Sequence, residues 1–158
     1  MRFRQLDRIL SIEPGVRIVA TKTLAPEEDY LRDHFPRFPV MPGVIMLEAM
    51  YQAGVWLAYQ SDDFQRSMVV LKETRNVKFA DFVTPGRTLE VTVEVIADEG
   101  SILKVKARGA IENAVAVSGR LVLERFNWGD TDPGREPVDR SLRRDMRRQY
   151  RRLTASDQ

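Results

Sequence analysis

Two side chains in this sequence have the types and spacing for acid–base chemistry. They are His34, the only histidine, and Glu48, fourteen positions later. An imidazole, with an ordinary pKa of about 6.5, is a base near neutral pH. A carboxyl group held among apolar residues stays neutral, which is the state a general acid needs. Base plus acid suits loss of a carbon-bound proton together with departure of a hydroxyl, which is dehydration. Gly43 stands between them where a helix can begin. Its backbone N–H and the positive helix end can hold a carbonyl oxygen that gains negative charge. Gln52 follows Glu48 by four positions and so shares its helix face.

The elements around these residues follow from the same stretch. Prolines stand at 36, 39 and 42. Each fixes φ near −65° and removes a donor, so residues 34–42 form a stiff extended loop. Residues 44–59 then read as one helix, rich in good helix formers and weakened inside only by Gly54. The segment is apolar on nearly every face, which places it inside a core. It is too short and too polar in places to cross a bilayer, which takes about 20 predominantly apolar residues.

Residues 1–13 show no clear period. Pro14-Gly15 signals a turn. Residues 16–24 alternate as a strand, with Val16, Ile18 and Ala20 on one face. Residues 26–32 suggest one acidic helical turn. Beyond the buried helix, residues 68–79 form a candidate strand with a bulge near 74–76. Residues 88–97 and 103–111 alternate cleanly, joined by a turn at Asp98-Glu99-Gly100. Glu112-Asn113 makes the next turn. Residues 114–125 are the last strand, with Val115, Val117, Leu121 and Leu123 inward. The class is α+β: an antiparallel sheet of five or six strands wrapped around one long central helix. One helix face remains uncovered by that sheet, and pairing with a second copy is the economical cover.

The chain has 158 residues, 43% apolar and 30% charged, enough for one real core. It contains no cysteine, which excludes disulfides, thiolate nucleophiles and cysteine-based metal sites. The first ten residues hold no apolar run, so the expectation is a cytoplasmic protein without a signal peptide. Net charge is +2, but residues 139–152 carry seven arginines against two aspartates, or +5, which leaves −3 for the rest. Residues 127–137 read as a linker, and 138–158 as a basic amphipathic helical tail. Val138, Leu142, Met146, Tyr150 and Leu153 form its apolar stripe. The division expected is a body over 1–126, the linker, and the tail. On the residues alone two outcomes stay open: an enzyme, or a fold in which His34 and Glu48 are structural.

The run from His34 to Gln52, HFP-x-x-P-V-M-P-G-V-x-M-x-E-A-M-x-Q, resembles the 3-hydroxyacyl-acyl-carrier-protein dehydratases of fatty acid synthesis, of FabZ type and hot-dog fold. Weaker similarity extends over roughly residues 6–125. The resemblance implies that His34 takes the proton at C2 and Glu48 protonates the departing 3-hydroxyl. The Gly43 N–H binds the thioester carbonyl, the Val40 carbonyl orients His34, and Gln52 holds the acid. It also implies a site shared across a homodimer, acyl carrier protein as partner, and no metal or organic cofactor. A glutamate at 48, rather than aspartate, is similar to the FabZ group and not to its FabA sister group. Asp33 and Arg37 stand where the family usually has glycine, and Arg37 could touch a substrate phosphate. The segment 80–84 lacks the family's usual basic residues. A thioesterase of the same fold and a non-catalytic acyl-binding module are the alternatives. The basic tail offers no signature for reading nucleic acid bases.

Overall fold

The computed structural model describes residues 4–32 and 37–155. Six strands form one antiparallel sheet: β1 (Arg8–Glu13), β2 (Arg17–Thr23), β3 (Met68–Phe79), β4 (Thr88–Asp98), β5 (Ile102–Ile111) and β6 (Ala114–Phe126), in the order β1-β2-β4-β5-β6-β3. The helix α1 (Gly43–Ser61) lies against their inner face, and a second helix, α2 (Glu136–Thr154), closes one end. Strand β1 is the element that periodicity did not reveal. It is a sheet edge whose register shifts between Ile9 and Ser11, and among its six residues only Ile9 is fully buried. A bulged edge strand has little reason to alternate.

The core is the contact between α1 and alternate residues of the strands. Leu89, Val91 and Val93 of β4, Leu103, Val105 and Ala107 of β5, and Leu121 and Leu123 of β6 are essentially inaccessible. They meet Met46, Ala49, Met50, Ala53 and Leu57 of α1 in one cluster. Gly54, which costs helix propensity, lies where helix and sheet approach closely. A methyl there would stand 3.1 Å from the Leu123 side chain.

Bulges in β3 and β6 re-aim side chains. The expected bulge in β3 lies between Arg75 and Lys78, with Asn76 at φ 54°, and another lies between Leu71 and Glu73. In β6 an extra residue sits opposite Gly109 and Ala110, which pair with Val117 and Val115. That insertion inverts the phase. Val117 points inward as expected, but Val115 does not and is 42% exposed. The turn at Glu112-Asn113 has positive φ at both residues, the geometry of a two-residue hairpin that follows strand twist.

The segment before α2 is structured, not a plain connector. Two short 3-10 turns, Trp128–Asp130 and Pro133–Arg135, lead into the helix, which begins at Glu136. Asp139, in its first turn, is buried. Its carboxylate accepts bonds from the Ser67 hydroxyl and, at 2.8 Å each, from the Trp128 and Gly129 backbone N–H groups. Burial pushes this carboxyl up. The Ser67, Gly129 and Trp128 donors, with Arg143 nearby, outweigh it and hold it below the ordinary aspartate value. At the other end of α2, Leu153 enters the core and Tyr150 lies against Trp56 and Phe64.

Candidate active site

The site is built at the start of α1. Pro42 precedes the helix, and its carbonyl accepts from the Ile45 and Met46 N–H groups. The Gly43 and Val44 N–H groups, in the first turn, have no acceptor within the helix and point out of its positive end. Phe79, at the end of β3, lies over this turn. A methyl on Gly43 would come within 2.9 Å of its ring, so only glycine fits beneath the ring as it stands. The loop entering the helix is tied down from behind. Met41 N–H donates to the Val83 carbonyl at 2.9 Å, and Phe38 meets Phe82 edge to face at 6.2 Å. Upstream, Lys22 on the inner face of β2 is buried and bonds Glu28 at 2.6 Å, which pins the segment leading to the loop.

Glu48 projects from the second turn of α1 and is half-buried, not enclosed, in the single chain. It shares an incompletely covered stripe with Val44, Leu47, Tyr51, Gln52 and Val55. Val44 is 65% exposed there. The one helix face expected to be left uncovered by the sheet is thus the face that carries Glu48. The sheet covers one side, and the side that carries Glu48 is only partly covered by the described residues. Tyr51 ties this side to β3, donating its hydroxyl to the Val69 carbonyl at 2.8 Å. Burial, and then the Glu48 charge, hold the phenol above its ordinary value.

Gln52 meets Glu48 directly: its Nε2 donates to Glu48 Oε1 at 3.0 Å. The other end of the amide is fixed as well, because Gln52 Oε1 accepts from the Gln5 backbone N–H at 2.8 Å. A backbone N–H can only donate, so it sets which way the amide faces and leaves the NH2 group toward the acid. Gln5 is a site residue that the sequence reading missed. Its contribution is main-chain, so side-chain type gives no signal. Phe79 was missed as a neighbour of Gly43 for the related reason that a twelve-residue strand with two bulges does not reveal where its last side chain lands.

Of the expected site residues, Glu48 and Gln52 stand bonded on one face of α1, and Gly43 is the first residue of the same helix. Val40 is buried just before the helix, and Arg37 is exposed on the loop. His34 and Asp33 lie outside the described residues. Among the described residues no group of three or more histidine, cysteine or carboxylate side chains could hold a metal, and no helix is long and apolar enough to cross a membrane.

The model of the FabA-like domain family matches residues 1–120. A 3-hydroxyacyl-acyl-carrier-protein dehydratase FabZ of Clostridium kluyveri is 36% identical over 128 residues, 81% of this chain and 87% of that one. The corresponding enzyme of Geobacillus thermodenitrificans is 37% identical over 131 residues, covering 81% and 86%. Among solved structures, the dehydratase heterocomplex ApeI:P of Xenorhabdus doucetiae superposes with a TM-score of 0.64 at 19% identity, covering 80% of this chain and 85% of that one. A mutant thioesterase PA1618 of Pseudomonas aeruginosa gives 0.61 at 13% identity, covering 75% and 80%. These structures share the hot-dog fold, in which dehydratases and thioesterases both occur. The FabA-like match over three quarters of the sequence and the identity to FabZ enzymes decide between them: the chain belongs to the FabA-like family, among its 3-hydroxyacyl-acyl-carrier-protein dehydratases of FabZ type.

Proposed function

We propose that this chain, as a homodimer in the cytoplasm, removes water from 3-hydroxyacyl thioesters carried on acyl carrier protein and yields trans-2-enoyl thioesters, with His34 as base and Glu48 as acid. The thioester carbonyl accepts from the Gly43 N–H, which stabilises negative charge as the C2–H bond breaks. His34, oriented by the Val40 carbonyl, takes that proton. The C2 electron pair forms the double bond, the C3–O bond breaks, and Glu48 gives its proton to the oxygen, which leaves as water. Proton return from His34 to Glu48 resets the pair. With Gln52 donating to Oε1, Oε2 is left as the oxygen for proton delivery. Arg37, exposed at the loop, is placed to meet a phosphate of the carrier's arm.

The observation that carries the proposal is the fixed chain from the Gln5 N–H through Gln52 to Glu48, beside a glycine-opened helix end. Two features support the dimer. The open stripe of α1 needs a cover, and the edge strand β3 is long and exposed, with Leu71 37% accessible. Incubation with a 3-hydroxyacyl thioester tests the reading. The enoyl product should form without release of free thiol, and a His34→Ala variant that melts like the parent should lose at least about 100-fold in rate. Thiol release without enoyl would instead favour hydrolysis.

A further inference from the structure

The family match ends at residue 120, while α2 spans Glu136–Thr154. This helix is held in one orientation. Asp139 anchors its first turn to Ser67, Trp128 and Gly129, while Tyr150 and Leu153 anchor its last two turns to α1 and the core. The fixed orientation turns Arg140, Arg144, Arg148, Arg151 and Arg152 outward, all exposed and spaced to share one face. Arg140 is paired with Glu136 at 2.7 Å. Among the described residues Arg144, Arg148, Arg151 and Arg152 form no ion pair. Like charges four apart on a helix repel, and 140/144, 144/148 and 148/152 are such pairs. The fold therefore tolerates a self-repelling cationic stripe that does nothing for its own core.

We propose that this stripe is the docking face for the carboxylate-rich carrier protein that delivers the thioester. The proposal rests on the dehydratase reading above. Charge chemistry selects a protein as the occupant. Val138, at the first turn, is the only large exposed apolar residue described on α2, so the stripe has nothing to insert into a bilayer. Its one aromatic residue, Tyr150, packs on Trp56 and Phe64 and cannot stack with bases. Exposed cationic side chains without apolar or aromatic neighbours suit carboxylates. They steer an acidic partner at long range, and the carrier must arrive and leave in every turnover. Its acyl group travels on a flexible arm, so the docking face need not adjoin Gly43.

The test is the full-length triple variant Arg144→Glu/Arg148→Glu/Arg151→Glu, compared with the triple Arg→Lys variant. Both are assayed on the same 3-hydroxyacyl group attached to acyl carrier protein and to N-acetylcysteamine. The charge reversal should lower kcat/KM on the carrier substrate roughly tenfold or more and leave the N-acetylcysteamine substrate unchanged. The Lys variant should stay near the parent, and added salt should slow the parent and not the reversal. An equal loss on both substrates, or no loss on either, overturns the proposal. So does loss of binding to duplex DNA or anionic vesicles while carrier kinetics hold. If the parent turns over neither substrate, the dehydratase reading fails by itself. Titration of acyl carrier protein then decides docking: binding lost on charge reversal supports it, and no binding to the parent overturns it.

Discussion

The Gln52 amide and the Glu48 carboxylate meet at 3.0 Å, and the amide cannot turn around, because the Gln5 N–H holds its oxygen at 2.8 Å. The acid is thus positioned by a main-chain donor from the N-terminal segment, 47 residues away in sequence from the amide it fixes.

Removing that donor should uncouple the acid without removing any side chain that touches substrate. Gln5→Pro abolishes the N–H. It is expected to lower kcat about tenfold with little change in KM. Gln5→Ala keeps the N–H and should retain full activity. It also deletes Gln5 Oε1, which is buried with no partner among the described residues, so its Tm should be unchanged or slightly higher.

Gly43→Ala tests the helix opening. The added methyl meets the Phe79 ring, a half-exposed side chain that can swing away, so the stability cost should stay within about 1 kcal/mol. The displaced ring and the methyl crowd the free N–H, and kcat/KM should drop on the order of 10- to 100-fold. Circular dichroism melts beside steady-state kinetics separate the two effects.

Asp139 gives the attachment of α2 a pH dependence. Its folded pKa lies below the unfolded value of about 3.9. Its contribution is therefore fully present above that value and lost as pH falls through the lower folded value. Asp139→Ala should cost roughly 2 kcal/mol at neutral pH, and the gap between variant and parent should close below about pH 4. Urea unfolding across that range measures it.

Much of this was legible in residue order. Prolines 36, 39 and 42 with Gly43 mark the start of α1, and clean alternation marks β4 and β5, because each element's period is set by which face it buries. Glu48 and Gln52 fall together because a spacing of four brings them to one helix face, and Gly43 opens the same helix. What stayed hidden depends on partners far along the chain. Strand β1 is a bulged edge with one fully buried residue, so it carries no period. Val115 faces outward because of a bulge that depends on pairing with β5. Asp139 looked like one more charge in a basic tail, yet it is buried because three donors from other segments converge on it. Gln5 acts through its backbone, which side-chain identity does not encode.

A substitution on the open stripe should separate the subunits. Leu47→Glu places a charge on the half-covered face of α1, where it costs the single chain little. Sedimentation should show the parent as a dimer or a multiple of it and the variant as a monomer with a native circular dichroism spectrum. Activity should fall with the dimer if, as proposed, the site draws on both subunits.

The most direct measurement is single-turnover formation of enoyl thioester by the parent and by Glu48→Gln, with folding of both checked by thermal melts. Glutamine keeps the shape and the bond to Gln52 but carries no acidic proton. The Glu48→Gln variant should lose at least about 100-fold in the rate of water departure at unchanged Tm. A Glu48→Gln variant that forms enoyl thioester at the parent rate would contradict the assignment of Glu48 as the acid.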